Sequence, residues 1–384
     1  MKFVYLDNAA TTKIDSRVLK AMLPYFEKDY GNASSQHLIG QNAKNALEKS
    51  RKIIAKSISA KTNEIIFTSG GTESNNLALK GLFFENYPEK NHIITTKIEH
   101  DSILNTCKWL EKKGAKITYL NVNKEGFMNY KELEKSITNK TFLVTIIHGN
   151  NEIGVIQDIE KIGKICKEKG VLFHVDSCQS FTKVPLNVNK QNLDLVTLNS
   201  HKIHGPKGVG ALYIRKGIKI NALIHGGGHE KALRSGTENI PGIVGFAKAV
   251  KIAKKRDVKK MEILRNKFIK ELLKIPNVNL NGPMKNRLCN NINISFNNIE
   301  GEAIGGYLES FGICTSTGSA CMSHSLETSH VLKALGFSPL RANSSLRISL
   351  SKFTTEKEIN YVINKIPKLV NKLRKISPLE GGKW

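Results

Sequence analysis

The first 214 residues alternate between short runs of apolar, mostly β-branched residues and longer amphipathic stretches. The short runs predict seven β-strands, at 65–68, 92–95, 117–120, 142–147, 171–175, 195–198 and 210–214. The stretches between them carry apolar residues at helical spacing. This order of elements is typical of an α/β fold whose strands form one largely parallel sheet.

The pattern changes near residue 250. Beyond it, two helical stretches enclose two strand-like pieces, at 250–273, 291–296, 345–350 and 356–376. This mixture predicts a smaller α+β domain. We therefore expect a large domain over residues 14–252 and a small domain that combines residues 1–13 with 253–384.

Composition and charge change this picture little. The chain has 384 residues, of which 40% are apolar and 24% are charged, as in most globular proteins. Its 59 basic and 33 acidic residues give a net charge of +26, which raises nucleic acid or an anionic membrane as a partner. The densest basic run, 251–260, leads into an amphipathic helical pattern without a nucleic-acid recognition motif. We therefore interpret the charge as solvated helix faces and expect no direct contact with nucleic acid.

The lengths of the apolar segments and the spacing of the cysteines argue against further classes of protein. The most apolar stretch, 142–147, is far shorter than the roughly 18–20 residues of a membrane-spanning helix. The N-terminal sequence MKFVYLDNAATT has neither an apolar signal core nor an Arg-rich leader, so we expect a cytoplasmic protein without membrane contact. The six cysteines include no CxxC pair, which argues against a disulfide scaffold or zinc ribbon and favours a single functional thiol.

A glycine-rich turn follows the predicted strand 65–68. Residues 69–73, Ser-Gly-Gly-Thr-Glu, lead from that strand into a helical pattern. Glycine lets the backbone approach an anion closely, and a helix N-terminus offers unpaired N–H groups. The turn is therefore either a phosphate site or an ordinary glycine turn with a threonine cap. The absence of Gly-Lys-Ser/Thr excludes a Walker A loop.

An acid and an amine follow two later strands. Asp176 ends an apolar run, so it is either a structural cap or the holder of a cation or a protonated ring nitrogen. Lys202 lies among His, Gly and Pro residues, in a confined site where desolvation would make its amine a nucleophile toward carbonyls. If residues 69–73 form an anion cradle, that turn, Asp176 and Lys202 together suit pyridoxal 5′-phosphate. This cofactor binds as a lysine Schiff base with an acidic partner.

Motifs along nearly the whole chain resemble, in order, those of the pyridoxal-phosphate-dependent cysteine desulfurases of the class V aminotransferase superfamily. They are YLDNAATT (5–12), GNASSQH (31–37), TSGGTESNNLA (68–78), EHDS (99–102), HGNNEIGVIQ (148–157), FHVDSCQS (173–180), SHKIHGPKGVGALY (200–213), GGGHE (226–230), RSGTEN (234–239), GSACMSHS (318–325) and LRISLS (346–351). The resemblance implies a homodimer of fold type I that removes sulfur from L-cysteine, releases L-alanine and leaves a persulfide on the enzyme.

By position, the resemblance implies roles around the cofactor ring. Lys202 would form the Schiff base and move protons at the substrate carbons, and Asp176 would hold the proton on the ring nitrogen. Gln179 would donate to the phenolic oxygen of the ring. His100 would stack over the ring and act as an acid or base.

The resemblance also implies a phosphate site. Its residues would be Gly71, Thr72, His201 and, from the other subunit, Thr237. Two residues before His201 the family usually has Ser, whereas this chain has Asn199 there and Ser200 beside it. Either side chain could donate a hydrogen bond, so we count both as cofactor-binding candidates.

Three further residues would act on the substrate. Asn151, also a cofactor-binding candidate, and Arg347 would hold the carboxylate of L-cysteine, because a planar guanidinium binds carboxylates bidentately. Cys321, in a run of small and polar residues, would take the sulfur as a thiolate nucleophile. Cys321 could also be a shared iron–sulfur ligand during cluster transfer. Of the other cysteines, Cys178 is interpreted as packing, and Cys314, seven residues before Cys321, either forms a disulfide or packs in the core.

The resemblance also implies partner proteins. An iron–sulfur scaffold protein would accept the sulfur, with other carriers, such as a relay for tRNA thiolation, as alternatives. The tail at 378–384 is shorter than in family members whose C-terminus helps to dock the scaffold. A selenocysteine lyase or cysteine sulfinate desulfinase would keep the cofactor residues but need less from Cys321. An ordinary aminotransferase would not need the thiol, and a nucleic-acid-binding module would explain only the charge.

Overall fold

The computed structural model describes residues 3–317 and 328–377. Its strands are β1 (Val4–Tyr5), β2 (Ile65–Thr68), β3 (His92–Thr96), β4 (Lys116–Leu120), β5 (Thr141–Ile147), β6 (Leu172–Asp176), β7 (Leu195–Asn199), β8 (Gly210–Ile214), β9 (Val278–Leu280), β10 (Asn291–Phe296), β11 (Ile313–Cys314) and β12 (Ser345–Ser349).

The α-helices lie between these strands. They are α1 (Ser16–Met22), α2 (Pro24–Glu27), α3 (Leu38–Ser57), α4 (Gly71–Asn86), α5 (Asp101–Glu111), α6 (Tyr130–Ser136), α7 (Ile159–Glu168), α8 (Ile240–Ile252), α9 (Lys255–Leu272), α10 (Gly301–Ser310), α11 (His330–Ala334), α12 (Pro339–Asn343) and α13 (Glu356–Ile376).

Within the described residues, the large sheet has seven strands in the spatial order β2-β8-β7-β6-β5-β3-β4. Strands β4, β3, β5, β6 and β7 are parallel to one another, and β8 is antiparallel to both of its neighbours, β7 and β2. This confirms the predicted α/β class with a mostly parallel seven-stranded sheet. Each of the seven predicted strands occurs, and their ends shift by at most one residue.

Helices cover both faces of the large sheet, which explains why its central strands are almost fully buried and mostly apolar. Alternate side chains of β5 pack in different hydrophobic cores, one on each face of the sheet. Val144 and Ile146 pack in a core with residues of α3, α7 and α8, such as Phe246. Leu143 packs on the opposite face with residues of α4 and α5, such as Ile103. The parallel strand ends between these layers are where polar groups can collect.

A second core lies around a three-stranded antiparallel sheet, β12-β10-β9. It includes side chains of α9, α10 and α13 together with Val4 and Leu6 from the start of the chain. Strand β1 pairs in parallel with β11, and an isolated bridge joins Asp7 to Ser349 of β12. The N-terminal segment therefore runs from this core toward the large sheet.

One predicted element is wrong in detail. The stretch 250–273 is not a continuous helix, because Ala253 and Lys254 are extended and separate α8 from α9. In α9 the side chains of Leu264 and Phe268 are buried, while the basic residues of 254–260 are exposed. The dense basic run is thus a solvated helix face, as expected. Among the described helices, none combines the length and apolarity that crossing a bilayer requires.

A polar row crosses the middle of the large sheet beneath the end of β6. The ring of His174 is hydrogen-bonded to Thr145 Oγ1 through Nδ1 (2.8 Å) and to Thr197 Oγ1 through Nε2 (3.0 Å). His174 is fully buried, and burial lowers its pKa to about 4. Because side chains alternate along a strand, His174 and Asp176 share a face of the sheet.

We expect Gly163→Ala in α7 to destabilise the protein by about 1–3 kcal/mol through overpacking. A methyl group on Gly163 would lie 1.9 Å from the carbonyl oxygen of Gln191, a backbone atom that cannot turn aside as the end of a side chain can. The matched control is Gly306→Ala in α10, where no described atom outside the helix's own backbone and the two neighbouring residues lies within 4 Å of the added methyl group. It should stabilise by about 0.5–1 kcal/mol through helix propensity. Urea unfolding of both variants checks this, and equal effects would contradict it.

We expect His174→Gln to reduce the acid sensitivity of the fold. The unfolded ring titrates near 6.5 and the folded ring near 4, so the unfolded state binds the proton first as the pH falls. His174 therefore lowers the free energy of unfolding between pH 6.5 and 4, by up to about 1.4 kcal/mol per pH unit. Urea unfolding at several pH values should give a shallower slope for the variant. An unchanged slope would contradict the assignment.

Candidate active site

A cavity of about 430 Å³ opens where β5, β6 and β7 end. Ten of the sequence-predicted residues line its wall: Gly71, Thr72, His100, Asn151, Asp176, Gln179, Asn199, His201, Lys202 and Arg347. They come from segments that are far apart in sequence, and the carboxyl ends of parallel strands bring them together. The volume is within the range of ligand pockets, roughly 300–1,000 Å³.

Asp176 is the last residue of β6 and is 3% exposed. Its two carboxylate oxygens accept from different donors. Asn75 Nδ2 donates to Oδ2 (2.8 Å) and the backbone N–H of Cys178 donates to Oδ1 (2.9 Å). These bonds compensate part of the cost of burying the charge and fix the direction of the carboxylate.

His100 is the N-cap of α5, and its ring belongs to the same network as Asp176. The backbone N–H of Ser102 donates to Nδ1 (3.1 Å), and Ser102 Oγ also contacts Nδ1 (2.9 Å). Because Nδ1 accepts the backbone bond, the neutral ring carries its proton on Nε2. Burial lowers the pKa of His100, which favours this neutral form. Asn75 Nδ2 donates to Ser102 Oγ (2.8 Å) as well as to Asp176.

Lys202 lies in a short 3₁₀ turn, His201–Ile203, immediately beyond β7. Its ammonium donates to the carbonyl oxygens of Ala9 (2.5 Å) and Ala10 (2.6 Å). The turn is itself attached to the N-terminal segment, since Thr12 Oγ1 donates to the carbonyl of His201 (2.7 Å). Residues 9–12 therefore hold the side-chain amine of Lys202, the candidate catalytic group, at the cavity wall.

The glycine-rich turn begins α4, and its first backbone N–H groups lie at the cavity. Gly71 and Thr72 are the first two residues of that helix. A methyl group on Gly71 would lie 2.5 Å from Cys178 Sγ and 3.3 Å from Asn199 Nδ2, so only glycine lets the helix start approach this wall. Neighbouring His201 has its pKa lowered to about 4, chiefly by burial and then by nearby lysines. A neutral ring and free helical N–H groups suit a phosphate.

The two candidates for the substituted phosphate contact are placed differently. Asn199 lines the cavity, and its Oδ1 accepts from the backbone N–H of His201 (3.0 Å). Ser200 is fully buried and does not line the cavity, and a methyl group on Gly205 would lie 2.1 Å from its hydroxyl. Asn199 is therefore the one whose side chain faces the cradle.

Besides Ser200, one described candidate, Thr237, is not brought into the cavity of a single chain. Thr237 is exposed and is not among the lining residues. Cys321 falls within 318–327, outside the described residues. Among the described residues, no cluster of three or more His, Cys, Asp or Glu side chains could hold a metal ion.

Arg347 reaches the cavity from the second core. Its Nη2 donates to Asp7 Oδ1 (3.0 Å) and Ser316 Oγ (3.3 Å). Its Nε is buried and has no hydrogen-bond partner among the described residues. A buried donor of this kind is costly unless a ligand meets it. Asn151 and Gln179 complete this wall, and Gln179 Nε2 donates to the carbonyl of Ala9 (2.8 Å).

Sequence reasoning missed several contributors. Asn75 and Ser102 join Asp176 to His100, and nothing in their own spacing marks them beyond lying within the quoted motifs. Cys178 was expected only to pack, yet it is half-buried and lines the cavity. Burial and the nearby Asp176 raise its pKa well above the usual value, so it is a protonated thiol and a poor nucleophile.

Comparison with known proteins places this geometry in a family. Residues 4–362 match the family described as aminotransferase class-V. The chain is 48% identical over 379 residues to the cysteine desulfurase IscS of Dictyoglomus turgidum, covering 98% of this chain and 96% of that protein. It is also 48% identical over 381 residues to the cysteine desulfurase IscS of Methanosarcina thermophila, with 98% and 94% covered.

Solved structures agree with the sequence relatives. A NifS-like protein superimposes with a TM-score of 0.91 at 41% identity, covering 97% of this chain and 100% of that one. SspA in complex with cysteine superimposes with a TM-score of 0.83 at 38% identity, covering 92% and 100%. This confirms the fold type I architecture expected from the motifs.

The cavity fits the cofactor on which this family depends, pyridoxal 5′-phosphate. A buried carboxylate, an amine and a helix N-terminus whose approach requires glycine lie around one space. These are the groups that the ring nitrogen, the aldehyde and the phosphate of the cofactor need. The chain belongs to the pyridoxal-phosphate-dependent aminotransferase class-V family.

Proposed function

We propose that this chain is a cysteine desulfurase that converts L-cysteine to L-alanine and carries the released sulfur as a persulfide on Cys321. The observation that carries the proposal is the meeting of Lys202, Asp176 and Arg347 around one cavity. Relatives that are 48% identical over nearly the whole chain are named cysteine desulfurases, and one similar structure is a complex with cysteine.

The proposed cofactor contacts follow from the donors present. Asp176 would hold a proton on the ring nitrogen, and Gln179 would donate to the phenolic oxygen. The phosphate would be held by residues of the cradle: Gly71, Thr72, Asn199, His201 and, from a partner subunit, Thr237. When bound, the cofactor supplies an electron sink that stabilises negative charge at the substrate carbons.

Substrate orientation would depend on Arg347 and Asn151. The Arg347 guanidinium already donates to Asp7 and Ser316 through Nη2, so its direction is set before substrate arrives. Its Nε has no hydrogen-bond partner among the described residues, and the guanidinium lines the cavity where the substrate carboxylate would bind. A preset donor loses little freedom on binding and favours one orientation of the amino acid.

Proton movement would be shared by Lys202 and His100. Lys202 Nζ lies at the cavity wall, held by two carbonyl oxygens, and as a neutral amine it could take and return a proton at a substrate carbon. His100 is fixed by the N–H of Ser102 with its proton on Nε2. It can therefore donate from that nitrogen to a leaving group or a neighbouring oxygen.

The assembly and location follow as part of the same proposal. We infer a homodimer, because Thr237 is exposed in one chain and lies outside its own cavity. An iron–sulfur scaffold protein would take the persulfide sulfur, and a tRNA-thiolation carrier is the alternative acceptor. A cytoplasmic location suits the free thiols of Cys107, Cys166, Cys178, Cys289 and Cys314 among the described residues.

We expect Arg347→Lys to raise the KM for L-cysteine by roughly 10–100-fold, as the loss of charged hydrogen bonds predicts, with a smaller effect on kcat. An ammonium cannot reproduce the planar fork. The matched control is Arg341→Lys, since Arg341 donates to Asn281 and does not line the cavity. Steady-state kinetics checks this. An unchanged KM would contradict the substrate role.

The function itself is tested by incubating the holoenzyme with L-cysteine and a reductant. We expect equal amounts of alanine and sulfide from the unmodified protein and none above background from Cys321→Ser, because the sulfur then has no thiolate to receive it. Cys314→Ser is the control, since Cys314, in β11, is the described cysteine nearest to Cys321 in the sequence. No alanine from the unmodified enzyme, or undiminished turnover in Cys321→Ser, would overturn the proposal.

A further inference from the structure

Two buried carboxyl groups lie next to cavity residues without belonging to the cavity wall. Glu99 precedes His100 and is fully buried, and Glu152 follows Asn151 and is 4% exposed. Burial raises the pKa of both groups. Neither carboxyl has a role in the site as described above, and carboxyl groups are costly to bury without one.

Both residues contact the start of α11. Ser329 Oγ donates to Glu152 Oε2 (2.5 Å), and His330 Nε2 donates to the backbone carbonyl of Glu99 (2.9 Å). Ser329 is also the N-cap of that helix, since its Oγ accepts from the backbone N–H of Leu332 (3.2 Å). One hydroxyl therefore caps α11 and joins it to the turn that carries Asn151.

The turn around Glu152 is held firmly by amide groups. Asn150 Oδ1 accepts from the backbone N–H groups of Glu152 and Ile153, both at 2.9 Å. The carbonyl of Glu152 accepts from the side-chain amides of Asn291 (3.0 Å) and Asn293 (3.2 Å) on β10. With its backbone fixed, the carboxyl group of Glu152 is a rigid, buried acceptor for the hydroxyl of Ser329.

On the other side of residues 318–327, Ser316 is attached to Arg347. The two residues exchange backbone hydrogen bonds of 3.1 and 2.7 Å, and Arg347 Nη2 donates to Ser316 Oγ (3.3 Å). In sequence, Cys321 comes five residues after Ser316 and eight before Ser329. The chain that carries Cys321 is therefore attached at both ends beside Arg347 and Asn151, the proposed carboxylate contacts.

We propose that Glu152 is a positioning residue for sulfur transfer. Its hydrogen bond with Ser329 fixes the point, beside the turn that carries Asn151, at which the chain bearing Cys321 is attached. This inference rests on the proposed function. A thiolate must meet the substrate sulfur within a short distance and in line, and an error of about 1 Å in such a geometry can cost on the order of 100-fold in rate. The buried hydrogen bond between Ser329 and Glu152 fixes the described residue from which that chain begins on its C-terminal side.

The experiment compares Ser329→Ala with Ser338→Ala in the holoenzyme. Ser338 is the matched control because it caps the equally short α12 by accepting from the backbone N–H of Arg341, without a contact to Glu152. Ser329→Ala should lower alanine formation from cysteine by about tenfold, as the loss of a buried hydrogen bond, which leaves its partner unsatisfied, predicts. Ser338→Ala should leave it unchanged, and Ser329→Thr, which retains the hydroxyl, should restore most of the activity.

Two readouts separate positioning from a merely structural role. Elimination of selenium from selenocysteine needs less of the Cys321 thiol, so Ser329→Ala should leave its rate unchanged. The rate at which iodoacetamide alkylates Cys321, followed by peptide mass spectrometry, should change in Ser329→Ala and in Glu152→Met, which lacks the acceptor oxygen, but not in Ser338→Ala. Combining Ser329→Ala with Glu152→Met should cost no more than the costlier single variant, because both remove one interaction.

The outcomes distinguish this inference from the proposed function. Equal losses in Ser329→Ala and Ser338→Ala, or parallel losses with cysteine and selenocysteine, would overturn the positioning role and leave only helix capping. Failure of the unmodified enzyme to form alanine would overturn the proposed function instead. The alkylation rates would still decide the inference in that case, because they require no turnover, and equal rates in all variants would overturn it.

Discussion

A carboxylate cannot be buried at the end of an apolar strand unless donors meet both of its oxygens, and Asp176 is where this constraint acts. Asn75 from α4 and the backbone N–H of Cys178 satisfy it. Because Asn75 also donates to Ser102, which contacts the His100 ring, the same amide fixes two of the groups proposed to act on the cofactor ring. The site is therefore one network, in which α4, α5 and β6 hold one another in place.

The N-terminal segment connects this network to the second core. Val4 and Leu6 pack in that core, while the carbonyls of Ala9 and Ala10, a few residues later, accept from Lys202. Asp7 pairs with Arg347, which comes from β12. The cavity thus lies where two separately packed cores meet, and a few residues between them align the amine of one with the guanidinium of the other.

Much of this could be predicted from the sequence, for reasons that particular elements make plain. Strands such as β5 are apolar on both faces because helices cover both sides, so each stands out in the sequence as a short, continuous β-branched run. The two- and three-residue strands β1, β9 and β11 are too short to form a recognisable pattern. The break between α8 and α9 was missed because apolar spacing continues through Ala253 and Lys254 while the backbone there is extended. Residues in strong local motifs, such as Lys202 and Asp176, were found. Supporting residues such as Asn75 were not singled out.

The sequence by itself determined the chemical groups of this protein: an amine, an acid and an anion cradle, each where a predicted strand ends, and, through the family motifs, a guanidinium inside a predicted strand. Local patterns suffice for that because turn residues and strand ends are properties of short segments. Only the tertiary structure decided which groups share the cavity. It turned Asn199 rather than Ser200 toward the cradle, brought Cys178 into the wall, and joined Glu152 to Ser329. Such contacts depend on the directions of side chains from distant segments, which no local pattern specifies.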